Sequence, residues 1–240
     1  QIKYFSPRIT IPFASFVYFS NNENFYLNDA TNTPKTVLKH FEKNSTKIIF
    51  MKPGYRIGRE NKVIDQNDIV DFWMDKYSEI NDRKLNNYKI ISREEIKKSF
   101  SVYSDRILSK NNNVLMKFVR TFSPISAFKP VIIEVTDLDC CFRIDYLSKT
   151  IEETSELAML KMKSEPLNFM FKNSFGFDTL TVNGCFEEKR KGGFIFATKT
   201  LAIENLNNLG IYFNISTLFN FNIIKLFLNR LYRISKKLDI

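Results

Sequence analysis

The 240-residue sequence contains a single histidine, His40, and only three cysteines. A structural zinc site needs four Cys or His ligands, and a Ser-His-Asp triad needs a positioned histidine. We therefore expect no catalytic residue, no metal ligand and no cofactor within this chain. The odd number of cysteines, with Cys140 and Cys141 adjacent, argues against a disulfide framework and favours a reducing, cytoplasmic location.

Glycine and proline are also scarce, with seven of each, which excludes collagen-like and linker-dominated architectures. The sequence has no run of 18 apolar residues and no secretory signal pattern. It begins with Gln1 rather than Met, and residues Ile2 to Phe5 already have the composition of a folded segment. We expect the chain to be a processed or excised piece of a longer protein.

Hydrophobic residues make up 44% of the chain and aromatic residues 15%, including 24 Phe, so a disordered chain is excluded. The 36 basic and 26 acidic residues give a net charge of +10. Such a surface favours encounter with an anionic small molecule. It lacks a dense Lys/Arg block and any recognition motif, so we expect no nucleic-acid partner.

Residues 1–60 have a strand–helix–strand pattern. The segment Arg8–Tyr18 is strand-like and is interrupted at Pro12. Thr33 followed by Pro34 is a helix start, with Thr33 as the N-cap. Residues 47–51 (KIIFM) predict a second strand, which the Pro53-Gly54 turn ends. This order is typical of the edge of an α/β layer.

Residues 61–125 predict a helical connector. One helix begins near Asp68, and a second begins at Ser92, where Glu95 three residues later completes a capping-box pattern. The break at residues 111–113 divides the second helical stretch, which Pro124 ends.

Residues 126–240 predict an antiparallel sheet covered by helices. Period-2 alternation predicts strands in the segments VIIEVTDL, CCFRIDYL and ELAMLKMK. Ser164 is expected to cap a helix, and residues 179–186 (TLTVNGCF) to return as a strand. Together with the earlier segments, this pattern predicts an α+β fold.

From Leu218 onward, the sequence predicts an amphipathic helix. Its apolar face is formed by Leu218, Phe221, Ile224, Leu228, Leu231 and Tyr232. This face either packs on the sheet of residues 130–187 or lies on an anionic membrane. Because residues 131–200 have nine basic and eleven acidic side chains, they complement this basic segment. We therefore favour packing on the sheet and do not expect a membrane surface as partner.

One stretch resembles a known family. Residues 11–29 (IPFASFVYFSNNENFYLND), the following Asn32-Thr33-Pro34 and the later Lys52-Pro53-Gly54 resemble the last strand–loop–helix–strand unit of metallo-β-lactamase-fold hydrolases. The likeness is to the branch similar to CMP-N-acetylneuraminate hydroxylase. It implies that residues 1–60 are the C-terminal edge of such a fold.

In the lactonase-like members of that superfamily, a metal-ligand His follows the matching Ile-Pro pair, whereas Phe13, Ala14 and Ser15 occupy this stretch here. The His-x-His-x-Asp-His loop of the fold is also absent from the sequence. The resemblance therefore implies that zinc or iron belongs to the parent protein, upstream of this chain. It further implies a substrate-pocket wall formed by Ser15, Asn24, Tyr26, Asn28 and Asp29.

A second resemblance covers residues 125–205. Its strands, the helix after Ser164 and the expected strand at 179–186 are similar to a sterol carrier protein type 2 domain. The resemblance implies a C-terminal α/β domain over residues 126–240 with an apolar cavity.

Three functions follow from these observations. The chain is a non-catalytic portion of a metal-dependent hydrolase acting on an anionic substrate, or a portion of a Rieske-type nucleotide-sugar hydroxylase, or an apolar-ligand or partner-binding module. In the first two, its partner is the upstream segment of the same protein or another subunit. Whether the chain acts as an enzyme by itself stays open.

Overall fold

A computed structural model describes residues 2–13, 16–42, 46–57, 66–122 and 126–218. The chain forms two compact units, one up to Asn87 and one from Tyr88. Helices predominate, and the strands form one small parallel sheet and one larger mixed sheet. The predicted α+β class is confirmed. In the described part of the chain, no helix combines the length and apolar character needed to cross a membrane.

The first unit follows the strand–helix–strand order expected from the sequence. Its elements are α1 (Ile2–Phe5), β1 (Ile9–Thr10), a 3-10 turn (Phe25–Ala30), α2 (Pro34–Phe41), β2 (Lys47–Ile48), α3 (Gln66–Ser78) and a second 3-10 turn (Ile80–Asp82). β1 and β2 pair in parallel, with Ile9 opposite Lys47, and α2 provides the crossover between them.

The predicted start of α2 is confirmed in detail. The Thr33 hydroxyl accepts a hydrogen bond from the Thr36 backbone N–H, and the Thr36 hydroxyl accepts one from the Thr33 N–H at 2.8 Å. Pro34 occupies the first helical turn, where its missing N–H has no cost. The Pro53-Gly54 turn is also present, with Gly54 at φ +82°.

The two predicted strands of this unit are much shorter than expected. Among the described residues of Arg8–Tyr18 only Ile9 and Thr10 form ladder pairs, and of residues 47–51 only Lys47 and Ile48 do. Pro12 has no N–H to donate and so ends the ladder. Strand length depends on the pairing partner as well as on local sequence.

A small aromatic core fills the first unit. Phe50, Ile69 and Val70 are buried there. The Phe16 ring lies 5.5 Å from that of Phe50 and 5.3 Å from that of Trp73. The Trp73 indole N–H donates to the Met51 carbonyl at 2.9 Å, which ties α3 to the chain that follows β2.

The second unit consists of two helices, a mixed sheet and further short helices. Its elements are α4 (Arg93–Leu108), α5 (Asn113–Phe122), β3 (Val131–Val135), β4 (Cys140–Asp145), β5 (Thr150–Glu153), β6 (Leu160–Met162), α6 (Ser164–Lys172), α7 (Gly176–Asn183), β7 (Glu187–Glu188), α8 (Gly193–Leu201), α9 (Ile203–Asn208) and α10 (Ile215–Leu218). The predicted break between α4 and α5 is confirmed.

The larger sheet has the strand order β5-β4-β3-β6-β7. Neighbouring strands are antiparallel except for β3 and β6, which pair in parallel. The expectation of a purely antiparallel sheet is therefore wrong at this one pair. Alternation along β3 buries Val131, Ile133 and Val135 in the main core. That core also contains side chains from α4 and α6.

The segment 179–186 is not the strand that its β-branched residues predict. Residues 176–183 form α7, and Gly184 ends this helix at φ +60°. Leu180 is buried whereas Val182 is largely exposed. A Cβ on Gly176 would lie 2.5 Å from the Met170 backbone, so this glycine permits a close turn from α6. Tertiary packing outweighs strand propensity here, and the strand that the sterol-carrier resemblance requires is absent.

The N-terminus of α6 also differs from the prediction. Lys163 occupies the cap position and Ser164 is the first helical residue. The Asp137 carboxylate accepts hydrogen bonds from the Ser164 N–H at 2.8 Å and from its hydroxyl at 2.7 Å. A carboxylate from the loop after β3 therefore replaces the expected local cap.

Two predicted segments remain to be compared with the structure, the helical connector 61–125 and the C-terminal helix. The boundary between the two units lies inside the predicted connector 61–125, with α3 before it and α4 after it. The predicted amphipathic helix beyond Leu218 lies outside the described residues.

Candidate functional site

The loop between β1 and α2 contains most of the predicted pocket residues, and Asn28 holds its two arms together. The Asn28 side-chain oxygen accepts the Phe19 N–H at 2.8 Å. Its amide nitrogen donates to the carbonyls of Phe19 at 2.9 Å and Phe25 at 2.8 Å. Both N–H donors of Asn28 are used in this way. Asn28 therefore shapes the loop.

Asn24 is a second structural amide in the same loop. It is buried, and its side-chain oxygen accepts the Asn21 N–H at 3.1 Å. Asn21 in turn forms a parallel bridge with Asn86. The Asn86 N–H donates to the Ser20 carbonyl at 2.8 Å. The tip of the loop is thus attached to a segment more than 60 residues later.

The base of the loop is fixed by two side chains from the end of α3 and beyond. The Tyr77 hydroxyl lies 3.3 Å from the carbonyls of both Val17 and Asn32, one on each arm. Burial raises the pKa of Tyr77, so it stays a neutral donor. The Arg83 guanidinium stacks over the Tyr18 ring at 5.0 Å and contacts its hydroxyl at 3.3 Å.

Tyr26 and Asp29 are the predicted pocket residues that face solvent. Tyr26 is 57% exposed, and Asp29 is exposed too. Both lie on the 3-10 turn Phe25–Ala30, in which the Asn28 amide donates to the Phe25 carbonyl. Ser15, the fifth predicted residue, lies outside the described residues. The loop therefore presents a phenol and a carboxylate on a rigid backbone.

The second unit contains a group of buried hydroxyls. Tyr103 and Ser104 lie on α4 and Tyr146 follows β4, and all three are almost completely buried. Their hydroxyls have no hydrogen-bond partner among the described residues. The two tyrosine rings are 6.4 Å apart and nearly perpendicular. Burial raises the pKa of both phenols.

Two arginine–carboxylate pairs lie close to these hydroxyls. Arg120 binds Asp145 through two hydrogen bonds and donates to the Phe128 carbonyl at 2.6 Å. Arg106 binds Glu204 and donates to the Phe171 carbonyl at 3.0 Å. Both carboxylates are at most 5% exposed. Such pairs orient neighbouring elements and add little net stability relative to apolar packing.

The two carboxylates respond differently to burial. Burial acts to raise the pKa of Asp145, but the hydrogen bonds from Arg120 and Ser148 outweigh it and leave the pKa below its ordinary value. For Glu204, burial is the larger effect, and its pKa lies above the ordinary value despite the bond from Arg106.

The described residues form no group of three or more His, Cys, Asp or Glu side chains that fits a metal ion. The donor set for zinc or iron is therefore not found in this part of the chain. Cys140 and Cys141 are partly buried and Cys185 is buried. Burial raises the pKa of Cys140 and Cys141, which lowers their reactivity at neutral pH.

Comparison of the chain with protein-family models, curated proteins and solved structures finds no match. The geometry of the site is therefore the basis for its interpretation.

The sequence did not indicate the residues that position the loop. Tyr77, Arg83 and Asn86 lie in a region predicted only as a connector, and no spacing links them to residues 17–32. The buried hydroxyls were equally hidden, because Tyr103 and Tyr146 fit the apolar pattern of a helix and a strand. The one available signal was the excess of asparagine around residue 21, which is typical of turns.

Proposed function

We propose that the chain is a non-catalytic portion of a metal-dependent hydrolase of the metallo-β-lactamase superfamily and contributes one wall of its substrate pocket. The observation that carries the proposal is the position of the loop with Tyr26 and Asp29. It follows the carboxyl end of β1 and leads into the crossover helix α2. In α/β folds, ligands bind in the crevice at the carboxyl ends of the strands.

The incomplete layer in the first unit supports this proposal. Parallel sheets occur almost only with both faces covered, and two strands alone are marginally stable. β1 precedes α2 in the chain and β2 follows it. On and just after β1, the side chains of Ile9, Ile11 and Phe13 are exposed, Phe13 to 91%. Further strands and a covering layer from the parent protein would bury these side chains.

In this proposal the residues of the chain bind and orient the substrate. The Tyr26 hydroxyl donates a hydrogen bond and the Asp29 carboxylate accepts one, and the net charge of +10 favours encounter with an anionic substrate. When bound by other parts of the parent protein, zinc or iron would activate the attacking water. The described residues of this chain contribute no ligand set to that metal.

The parent reading frame and its metal content test the proposal. We expect a His-x-His-x-Asp-His segment upstream of Gln1, and one or two metal ions per parent chain by elemental analysis. Paired Cys-x-His motifs upstream would favour the Rieske-type hydroxylase instead. A parent sequence with neither pattern contradicts both enzymatic interpretations.

A second test addresses the pocket wall itself. In the parent enzyme, Tyr26→Phe or Asp29→Ala is expected to raise KM at least fivefold for the anionic substrate, because each removes one hydrogen bond to it. Asp71→Ala, which truncates an exposed carboxylate on α3, is the matched control and should leave KM unchanged. If KM is unchanged in both pocket variants, the loop does not contact the substrate and this part of the proposal is wrong.

A second candidate function, an apolar-ligand module, is favoured by one observation in the second unit. The buried hydroxyls of Tyr103, Ser104 and Tyr146 are costly to leave unpaired, and a bound molecule with a polar end would supply their partners. Native mass spectrometry of the purified chain should then show a bound molecule that Tyr103→Phe loses. If Tyr103→Phe instead only stabilises a ligand-free chain, this candidate is wrong.

A further inference from the structure

Helix α5 carries a row of large apolar side chains that the described residues of the second unit do not cover. Val114, Phe118 and Phe122 recur every four residues and therefore lie along one line of the helix surface. They are 79%, 57% and 68% exposed. The rings of Phe118 and Phe122 contact each other at 4.7 Å, so the row is a continuous apolar ridge.

The opposite side of α5 is anchored in the fold. Met116 is completely buried, Val119 packs against the core, and Arg120 is bound to Asp145 and to the Phe128 carbonyl. This anchoring fixes the rotation of the helix about its axis. The exposure of the apolar row is thus a consequence of how α5 is held.

A second exposed apolar segment lies beside the first turn of α5. The Asn112 N–H donates to the Phe213 carbonyl at 2.8 Å, and the Asn111 side-chain oxygen accepts the Phe213 N–H at 2.7 Å. The Phe213 ring packs on Phe128. Around this anchor, Ile211, Tyr212 and Ile215 are between 41% and 61% exposed. The α5 surface is defined as these three residues together with Val114, Phe118 and Phe122 on α5.

The charged side chains within the two stretches of chain that form the α5 surface are basic. Residues 106–133 contain five basic side chains and no acidic one, and residues 205–218 contain no charge. Arg106 and Arg120 are used in internal ion pairs. Lys110, Lys117 and Lys129 form no ion pair with any residue that the structure describes. Lys110 and Lys117 are exposed.

We propose that the α5 surface docks the protein onto an anionic lipid surface. The exposed Phe, Val and Ile side chains would enter the boundary between headgroups and acyl chains, as the apolar face of an interfacial helix does. The lysines would lie at the level of the anionic headgroups. The exposed Lys110 and Lys117 beside the apolar row match a negatively charged lipid surface better than a protein surface of mixed charge.

Vesicle flotation of the full chain tests the proposal. The probes are vesicles of phosphatidylcholine alone and vesicles with about 30% phosphatidylglycerol. We expect the chain to float with the anionic vesicles, to bind the neutral ones at least tenfold more weakly, and to lose most anionic binding in about 0.5 M NaCl.

Two variants assign that binding to the α5 surface. Phe118→Ser with Phe122→Ser should weaken anionic binding at least tenfold, because each ring contributes apolar burial. Lys110→Glu with Lys117→Glu should do so through charge alone. The control is Val182→Ser with Ile195→Ser, which removes equally exposed apolar side chains near Glu187 and Glu188, and it should bind like wild type. Unchanged circular dichroism confirms that each variant is folded.

Three results would overturn the proposal. The first is equal binding to neutral and anionic vesicles, or binding to neither. The second is anionic binding that neither α5 variant reduces, which would place the contact elsewhere in the chain. The third is a concentration-dependent dimer that the phenylalanine variant dissociates, which would make the α5 surface a contact between two copies.

Discussion

Asn28 illustrates how one side chain organises a predicted site. Its carboxamide accepts the Phe19 N–H and donates to the carbonyls of Phe19 and Phe25. These three hydrogen bonds join Phe19 to the 3-10 turn. A carboxamide has two N–H donors and an oxygen acceptor, so one side chain can make all three bonds at once. Asn28, predicted as a pocket-wall residue, therefore uses its carboxamide to hold the backbone of the loop.

The first prediction follows from these three bonds. Asn28→Asp keeps the size of the side chain but places carboxylate oxygens against the carbonyls of Phe19 and Phe25. We expect the free energy of unfolding to fall by about 1–3 kcal/mol, measured by urea denaturation. Asp29→Asn, an exposed neighbour with the reverse change, should stay within about 0.5 kcal/mol of wild type. Equal stability of Asn28→Asp and wild type would show that the amide does not hold the loop.

The second prediction concerns the pH dependence of the Asp145 pair. The pKa of Asp145 is lowered in the folded state, so the ionised form favours folding. Its contribution is present above the unfolded-state pKa of about 3.9 and is lost as the pH falls through the lower folded-state pKa. We expect Asp145→Asn to cost about 1–3 kcal/mol at neutral pH and much less at a pH below the folded-state pKa.

Glu204 provides the contrasting case with the same measurement. Its folded-state pKa is raised, so its contribution is present below the unfolded-state pKa and is lost as the pH rises through the folded-state pKa. Glu204→Gln removes a negative charge that burial already disfavours and should therefore cost less at neutral pH than Asp145→Asn. If the two variants show the same pH dependence of unfolding, the opposite pKa directions are wrong.

At the scale of elements, local chemistry predicted helix starts well and strands poorly. The starts of α2 and α4 were predictable because the hydroxyls of Thr33 and Ser92 each accept the backbone N–H three residues later. α7 was not, since its β-branched residues favour a strand, whereas its tertiary packing, including the close approach of Gly176 to the Met170 backbone, has no local signal. The pairing of β3 with β6 has no local signal at all.

The third prediction tests the close contact between Gly176 and the Met170 backbone. Gly176→Ala would place a Cβ 2.5 Å from the Met170 backbone, and backbone atoms yield little. We expect a loss of at least about 2 kcal/mol in the free energy of unfolding, measured by urea denaturation.

Gly210→Ala is the matched control, because Gly210 has φ +76° but open space around its Cβ position. It should cost about 1 kcal/mol, from backbone strain alone. A smaller effect for Gly176→Ala than for Gly210→Ala would mean that α6 and α7 are not as closely packed as the structure shows.

The candidate site was also predictable only where its residues are close together in sequence. Asn24, Tyr26, Asn28 and Asp29 are contiguous in sequence, so their proximity could be predicted. The side chains that fix them, Tyr77 and Arg83 and the backbone of Asn86, come from far along the chain. A single sequence carries no periodicity that connects such distant polar contacts.

At the scale of the whole molecule, the two units have very different cores. Among the described residues, the first unit buries Phe50, Ile69 and Val70 in its cluster, whereas the cluster of the second unit extends from α4 to α9. Local stability follows buried apolar contacts. The first unit should therefore open at a lower free energy than the second.

The fourth prediction is that the first unit exchanges its backbone amide hydrogens faster than the second, as measured by mass spectrometry. The same measurement tests the proposed function. In the 240-residue chain, backbone amides of α2 and α3 should exchange faster than those of α4 and α6, because a small core resists opening less. In the proposed parent protein, a layer covering β1 and the exposed Phe13 would bury more apolar surface, at about 25 cal/mol per Å². Exchange in α2 and α3 should then slow at least tenfold, while that in α4 and α6 stays unchanged. Equal exchange rates in both proteins would show that no such layer covers the first unit, and the proposed place of this chain at the edge of a larger α/β fold would be wrong.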